Sequence, residues 1–411
     1  MSSVKNVLML IPNLDYGGAQ QAFAWLSNEL AKKYHVINVV FNTHNMGPYE
    51  FNEKLISLDV SSADNRLLKI LNFLRRIKKV RKIKQQYNVD LSISFLEGAD
   101  YVNVLSRVNE SIIISVRGSK YYDQNISGIT GYLRHRFLLP WVFNQADAIT
   151  VVSNGIKSEL ITRYRLKRPS FTVYNAILTK NIQQAKSEKL PGKWHEFFAL
   201  NRENIIMSHG RLAAEKGYRE LITVLGQLLH EGISFRYFIL GDGPDRMDLI
   251  RHAEKLSIPV WHEALHEQPA DNMRIFFLGY QPNPFCYLAR ASVYALPSMH
   301  EGMSNALLEA LACGLPVVAS DCPYAPREVL SQGGVLTDEL VNWTDYGVLV
   351  RPWQNPYAHH AWKKALIRLL AEKDLREYYS MRAIERCKDF APEKVADCWI
   401  TVIEKCCVRN I

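Results

Sequence analysis

The sequence contains no cysteine before Cys286; all seven of its cysteines lie from there to the C-terminus. Their number is odd and no Cys-x-x-Cys occurs, which argues against a disulfide framework and fits free thiols in a reducing cytoplasm. No apolar run reaches the ~18 residues needed to span a bilayer. The start, "MSSVKNVLMLIPNLDYGG", has a single short apolar run and no small-residue cleavage site. It reads as a first strand rather than a signal peptide. Low-complexity tracts are also missing, and with 48% hydrophobic and 22% charged residues the composition is that of a folded globular protein. At 411 residues the chain is too long for one ordinary core and implies two domains of roughly 200 residues each.

Acid is scarce where base is plentiful. Residues 1–200 carry 27 Lys+Arg against 15 Asp+Glu, net +12. The remaining 23 basic and 26 acidic residues give −3, so the total of +9 belongs entirely to the first half. Such asymmetry points to an anionic partner of that half. Between Asp64 and Asp90 there are nine basic residues and no acid. There Leu67, Ile70, Leu74, Ile77 and Val80 recur at helical spacing as a core-facing stripe, and Arg75, Arg76, Lys78, Lys79, Arg81, Lys82 and Lys84 crowd the rest. The helix over 66–84 has two readings, a solvated surface or a face docked on an anionic membrane. No nucleic-acid recognition module accompanies the charge, so no nucleic-acid partner is expected.

Both halves alternate β-branched runs with helical stretches, the pattern of βαβ units and mainly parallel sheets. The runs are 6–11, 35–41, 90–95, 111–116, 148–152 and 171–174, then 204–210, 235–241, 274–279, 292–296 and 316–320. Residues 180–203 read as a linker. The expected fold is α/β, with two Rossmann-like domains facing across a cleft and ligands bound beyond the carboxyl ends of the strands. The boundaries fall at 1–185 and 186–389.

Three stretches carry chemistry. In "SHGRLAAEKGYREL" (208–221), Arg211 and Lys216 stand five residues apart at a strand–helix junction, placed to grip a diphosphate as a planar fork and a point charge. Gly210 and Gly217 would allow the backbone close to a ligand. In "LPSMHEGMSNALLEALACG" (296–314), Ser304 is an N-cap and Gly314 a stop. Glu309 is a lone carboxylate inside an apolar helix, which needs a partner, and Glu301 precedes it by eight residues. The helix N-terminus between them is an anion site. Two carboxylates flanking an anion site suit the hydroxyl–phosphate–hydroxyl layout of a nucleotide sugar. In "LDYGGAQQAFAWLSNEL", Gly17 and Gly18 close the first strand and open a helix. They lack the Gly-x-Gly-x-x-Gly of dinucleotide binding.

As an ordered set these residues resemble family 4 of the retaining glycosyltransferases, which have the GT-B fold. The matching motifs are Gly210-Arg211-Leu212 with Lys216-Gly217, Gly241-Asp242-Gly243-Pro244, Phe277-Leu278-Gly279, Glu301 through Glu309, and Gly314 through Asp321. The match is extended by "PREVL" (326–330) and "GVLV" (347–350). It covers most of 204–352. The first half matches more loosely, through Gly17-Gly18, "AITVVSNGIKSEL" and "VYNAI". The resemblance implies an acceptor domain followed by a nucleotide-sugar domain, with the C-terminal helix over 390–411 packing back on the first. It implies that Arg211 and Lys216 hold the donor diphosphate and that Glu301 meets the transferred sugar. Glu309 would take both ribose hydroxyls, and the backbone of Gly302, Met303, Ser304 and Asn305 would meet sugar and phosphate. The base would lie against the loop of Leu278 and Tyr280. Transfer with retention from a uridine diphosphate sugar, to a lipid-linked or growing glycan acceptor, is expected without a metal or other cofactor. The absence of Asp-x-Asp is consistent with that. The place of the chain would be cytoplasmic, peripheral on the inner face of the cytoplasmic membrane. Where many members carry histidine this chain has Arg117, which suits either an acceptor phosphate or a structural salt bridge. Glu97, at a strand end, suits an acceptor-side role or a helix-start carboxylate. Ala325 replaces a common glycine.

Other readings compete. His262-Glu263-x-x-His266 has the zincin pattern, but Pro259 and Pro269 bracket it too closely for the long helix a zinc protease needs. A phosphorylase or epimerase of the same fold, or a non-catalytic sugar-binding scaffold, are the alternative functions.

Overall fold

A computed structural model of the chain describes residues 5–61, 65–122, 128–200, 204–263 and 267–407. The β-branched runs become short strands covered on both faces, which is why they are apolar throughout rather than alternating. In the first unit these are β1 (Asn6–Ile11), β2 (His35–Val40), β3 (Leu55–Ser57), β4 (Leu91–Phe95), β5 (Ser111–Val116), β6 (Ala148–Val151) and β7 (Ser170–Thr172). They form one parallel sheet in the order β3-β2-β1-β4-β5-β6-β7.

The second unit contains β8 (Ile205–His209), β9 (Arg236–Leu240), β10 (Val260–His262), β11 (Ile275–Phe277), β12 (Val293–Leu296), β13 (Val317–Ser320), β14 (Val341–Trp343) and β15 (Val348–Val350). The order is β10-β11-β9-β8-β12-β13-β15-β14, parallel except for the edge pair β14–β15. Each sheet, with helices on its faces, is Rossmann-like. In each, the winding reverses beside one strand, β1 in the first and β8 in the second. At such a point the connections diverge to opposite sides and open a crevice at the carboxyl ends of the strands, where ligands bind.

The units divide at Ala176/Ile177 and again at Ala391/Pro392, not at 185/186 and 389. The reason is the helix Thr179–Ala185, which belongs to the second unit. There Gln183 Nε2 donates to the Ala312 carbonyl at 2.8 Å and Asn283 Nδ2 to the Ala185 carbonyl at 2.9 Å. The linker reading of 180–203 is likewise corrected for its described residues. A second helix, Gly192–Leu200, turns Trp194, Phe197 and Phe198 onto Phe238, Trp261 and Phe276, with Trp194 edge-on to Trp261 at 4.8 Å. The C-terminal helix Pro392–Cys407 is part of the first unit. Its Val395, Trp399, Val402 and Ile403 enter the core beside β1 and β4, and Trp399 stacks on Phe95 at 6.3 Å.

The basic helix spans Arg66–Gln86, with Asn65 Oδ1 accepting from the Leu67 amide. Its expected core stripe is corrected. Leu67 is 72% exposed, and Ile70 and Leu74 are exposed as well. The face that packs is Phe73, Ile77, Val80 and Ile83, because the first two turns run past the core and are not covered by any described residue. Lys84 is not a surface charge either. It is buried, 2.6 Å from Glu110, and also donates to Asn103. Among the described residues no helix is long and apolar enough to cross a membrane, and all seven cysteines are free.

Candidate functional site

β8 and β12 are hydrogen-bonded neighbours, so the loops leaving their carboxyl ends must lie side by side. The loop after β8 carries His209, Gly210, Arg211 and Lys216; the loop and helix after β12 carry Ser298, Glu301 and Glu309. This adjacency brings together residues 85 to 100 positions apart.

Backbone packing fixes the β8 loop. At Gly217, with φ +67°, a Cβ would stand 2.0 Å from the Pro297 carbonyl oxygen. Close approach at Gly217 is therefore to Pro297, not to a ligand. At Gly241, with φ +130°, a Cβ would stand 2.0 Å from the Gly210 carbonyl oxygen, so the "GDGP" turn lies directly against the "GRL" turn. Leu212 N–H donates to the Asp242 carbonyl at 2.9 Å and locks the two turns together. Gly210 itself (φ +138°) borders open space apart from the Tyr218 hydroxyl.

Ser304 caps the helix Asn305–Ala312, its Oγ accepting from the Leu307 amide at 3.3 Å, and Gly314 follows at φ +77°. Glu301 lies in the loop before it and is buried. Its Oε1 accepts from Lys216 Nζ at 2.8 Å and from Ser298 Oγ at 2.7 Å. Burial opposes charge on Lys216, but the nearby carboxylate of Glu301, with Glu215 adding to it, outweighs that and raises its pKa above 10.5. Lys216 is thus a fixed cation, and among the described residues two of its three N–H donors have no partner. Glu309 Oε2 meets His209 Nε2 at 2.7 Å. Glu301 Oε2 and Glu309 Oε1 make no hydrogen bond among the described residues. Arg211 is exposed and makes no ion pair among them. The site thus offers one unpaired guanidinium, one tethered ammonium, a helix N-terminus and two carboxylates, each with an open oxygen.

The rest of the expected donor residues divide. Gly302, Met303 and Asn305 surround the capped helix start. Tyr280 is exposed, but the Leu278 side chain is in the core and its carbonyl accepts from Gln281 Nε2 at 2.6 Å. Three residues escaped the sequence reading: His209, Ser298 and Tyr324. Tyr324 holds φ +85° and ψ −110°, a strained conformation for a large side chain. It forms a bridge with Glu301, whose carbonyl accepts from the Ala325 amide at 3.3 Å. A histidine directly before Gly210-Arg211 was the available signal for the first; the other two become visible only when the loops meet.

In the first unit, Gly17 and Gly18 are exposed at the start of the helix Gly18–Leu30, and the Gly17 amide donates to the Tyr49 hydroxyl. Arg117 follows β5. It donates to Ser115 Oγ at 3.5 Å and to Asn175 Oδ1, and lies 5.1 Å from the Phe95 ring centre. No carboxylate pairs with it among the described residues, which removes the salt-bridge reading. Burial pushes this guanidinium down to about 9. Glu97 opens the helix Glu97–Leu105 and is the hub of a cation cluster: Arg134 Nε at 2.6 Å, Lys120 Nζ at 3.4 Å and the Tyr101 hydroxyl at 2.5 Å. Burial alone would raise its pKa, but Arg134 and Lys120 overcome it and bring it to about 2. His262 ends β10 and Glu263 pairs with Arg246 at 3.3 Å, while His266 lies outside the described residues. A strand end does not supply the helix that the zincin pattern needs.

Comparison with known proteins identifies the family and the fold. Residues 193–386 match the family Glycosyl transferases group 1, and residues 16–180 match Glycosyltransferase Family 4. The chain is 26% identical over 400 residues to a Campylobacter jejuni enzyme, N-acetylgalactosamine-N,N'-diacetylbacillosaminyl-diphospho-undecaprenol 4-alpha-N-acetylgalactosaminyltransferase, covering 94% of this chain and 96% of that one. Among solved structures, sucrose-phosphate synthase from Thermosynechococcus elongatus superposes with a TM-score of 0.75 at 16% identity, over 98% of each chain. HepE of Anabaena, solved in complex with UDP, gives 0.73 at 15% identity, over 97% of this chain and all of the other.

Proposed function

Because this chain is a GT-B glycosyltransferase of family 4, we propose that it moves a hexosyl or N-acetylhexosaminyl group from a uridine diphosphate sugar to a lipid-linked or growing glycan, with retention at the anomeric carbon and without a metal ion. The observation that carries the reading is that the loop bearing Arg211 and Lys216 lies beside the capped helix start, with the Lys216–Glu301 and His209–Glu309 bonds crossing between them. Arg211 and the free donors of Lys216 face the charge that develops on the leaving diphosphate, and preorganised donors of this kind supply most of such a rate enhancement. The amides at Gly302–Asn305 add the helix N-terminus to that support. Glu309 takes the ribose hydroxyls, and Glu301, fixed by Lys216 and Ser298, takes hydroxyls of the transferred sugar and holds it for attack. Uridine as the base is supported by the UDP-bound Anabaena neighbour, and a lipid-linked acceptor by the name of the Campylobacter relative. Arg117, a half-buried cation whose partners among the described residues are neutral, suits an acceptor phosphate.

The acceptor would be met at a membrane. The first turns of the helix Arg66–Gln86 expose Leu67, Leu68, Ile70, Leu71 and Leu74 beside the exposed cations Lys69, Arg75 and Lys78, the composition of an interfacial helix. Arg76 and Lys79 contribute less, because they are tied to the Val60 and Leu58 carbonyls.

Thermal stabilisation by nucleoside diphosphates, followed by transfer of labelled sugar from a panel of nucleotide sugars into a membrane lipid extract, tests the reading. Stabilisation by uridine diphosphate that is lost in Arg211→Ala, with an α-product from an α-donor, is the expected result. Absence of stabilisation by any common nucleoside diphosphate would overturn it.

A further inference from the structure

His209 is not among the motif residues of the site, yet the one hydrogen bond of its side chain among the described residues goes to Glu309. The imidazole projects from the last residue of β8, a rigid position. It is held there by the edge-to-face ring of Tyr294 on β12, with ring centres 5.4 Å apart and planes 68° apart. Tyr294 is fully buried, and its hydroxyl donates to the His209 carbonyl at 3.4 Å. The other ring nitrogen, Nδ1, is buried and has no hydrogen-bond partner among the described residues. The ring's one polar contact is thus spent on the Glu309 carboxylate, and its second nitrogen binds nothing that would orient it otherwise. The Nε2–H that donates to Glu309 fixes which nitrogen carries the proton.

We propose that His209 is a positioning residue for ribose recognition: it holds the Glu309 carboxylate in the orientation that accepts the 2′- and 3′-hydroxyls of a ribonucleoside diphosphate. This rests on the reading of Glu309 as the ribose ligand. An ionised carboxylate has about four lone-pair sites. His209 takes one on Oε2, leaving a second on that oxygen and both on Oε1, enough for a vicinal diol. The hydrogen bond also removes the rotation of a side chain that would otherwise have to be ordered by the ligand, a cost that lowers affinity. Because the helix Asn305–Ala312 carries Glu309 and β8 carries His209, the pair ties the carboxylate to the sheet rather than to its own helix. Selectivity for ribose over 2′-deoxyribose is then set by two residues, of which only one touches the sugar.

The test is the ratio of affinities for ribo- and 2′-deoxyribonucleoside diphosphates, measured by titration calorimetry with the uridine, guanosine, adenosine and cytidine pairs on the full chain. The wild type should prefer the ribo form of the base it binds by roughly tenfold or more, the scale of a hydrogen bond to a charged group. His209→Phe, which keeps the ring contact with Tyr294 but cannot donate, should reduce that ratio at least fivefold. His209→Gln, whose Nε2 reaches a similar place, should restore it to within threefold. A merely structural histidine would weaken both forms alike and leave the ratio unmoved, and that result in a folded His209→Phe variant overturns the inference. Glu309→Gln separates the two levels of the argument. If it abolishes the preference while His209→Phe does not, only the role of His209 is wrong. If Glu309→Gln leaves the preference intact, or if no ribonucleoside diphosphate binds, the reading of the site fails with it.

Discussion

Glu301 and Glu309 are chemically identical and eight positions apart, and their different partners assign them different work. On the proposed function, Glu309→Ala removes the ribose ligand, so uridine diphosphate affinity should fall about tenfold, as expected for lost hydrogen bonds to a carboxylate. Glu301→Ala frees Lys216 from its tether, so kcat should fall by more than nucleotide affinity does. Equal effects of the two substitutions on affinity would contradict the division. Glu97 behaves differently, because its oxygens are already taken by Arg134, Lys120 and Tyr101. Its pKa is about 2 in the fold against 4.5 in an unfolded chain, so the folded state binds fewer protons and stability rises with pH across that range. The contribution, roughly 3 kcal/mol, is complete above pH 4.5 and lost as pH drops toward 2. Urea denaturation across that window should be steeper in pH for the wild type than for Glu97→Gln. At this scale the sequence was informative where a residue type was costly, as with Glu309 in an apolar helix. It was silent on pairings across loops, because the meeting of Lys216 with Glu301, or His209 with Glu309, is set by the adjacency of β8 and β12 and not by local spacing.

Among the elements, the strands were legible because a parallel sheet covered on both faces writes itself as continuous β-branched runs. Strands of three residues such as β3, β10 and β14 carry too few side chains for a pattern, and they passed unnoticed. The stripe on the helix Arg66–Gln86 was misassigned for a related reason. Its leucines and isoleucines recur at helical spacing on more than one face, and only the neighbouring strands decide which face is covered. The helices at 179–200 looked like a linker since Trp194, Phe197 and Phe198 bury through aromatic contacts with distant strands. Gly217 was noticed for the wrong neighbour. Because a Cβ there meets the Pro297 carbonyl oxygen at φ +67°, Gly217→Ala should cost about 1–3 kcal/mol and displace Lys216 from Glu301. Differential scanning calorimetry with a parallel turnover assay would check both effects. Unchanged melting and turnover would mean that this loop yields more readily than its packing implies.

For the whole molecule, the charge partition is the property most directly legible in the sequence: +12 in residues 1–200 and −3 in the remainder. An anionic surface should draw in the first unit, with each basic residue near it adding about 1 kcal/mol. Sedimentation with vesicles containing anionic lipid should therefore weaken as salt rises and as Arg75 and Lys78 are reversed to glutamate. Binding indifferent to both would remove the helix Arg66–Gln86 from the docking surface. The central claim concerns the second unit, and a crystal structure of the full chain with uridine diphosphate tests it most directly. The account predicts the diphosphate between Arg211, Lys216 and the amides of Gly302–Asn305, with both ribose hydroxyls on Glu309 and His209 still bonded to that carboxylate. A nucleotide bound away from the carboxyl ends of β8 and β12, or a ribose that leaves Glu309 untouched, would contradict it.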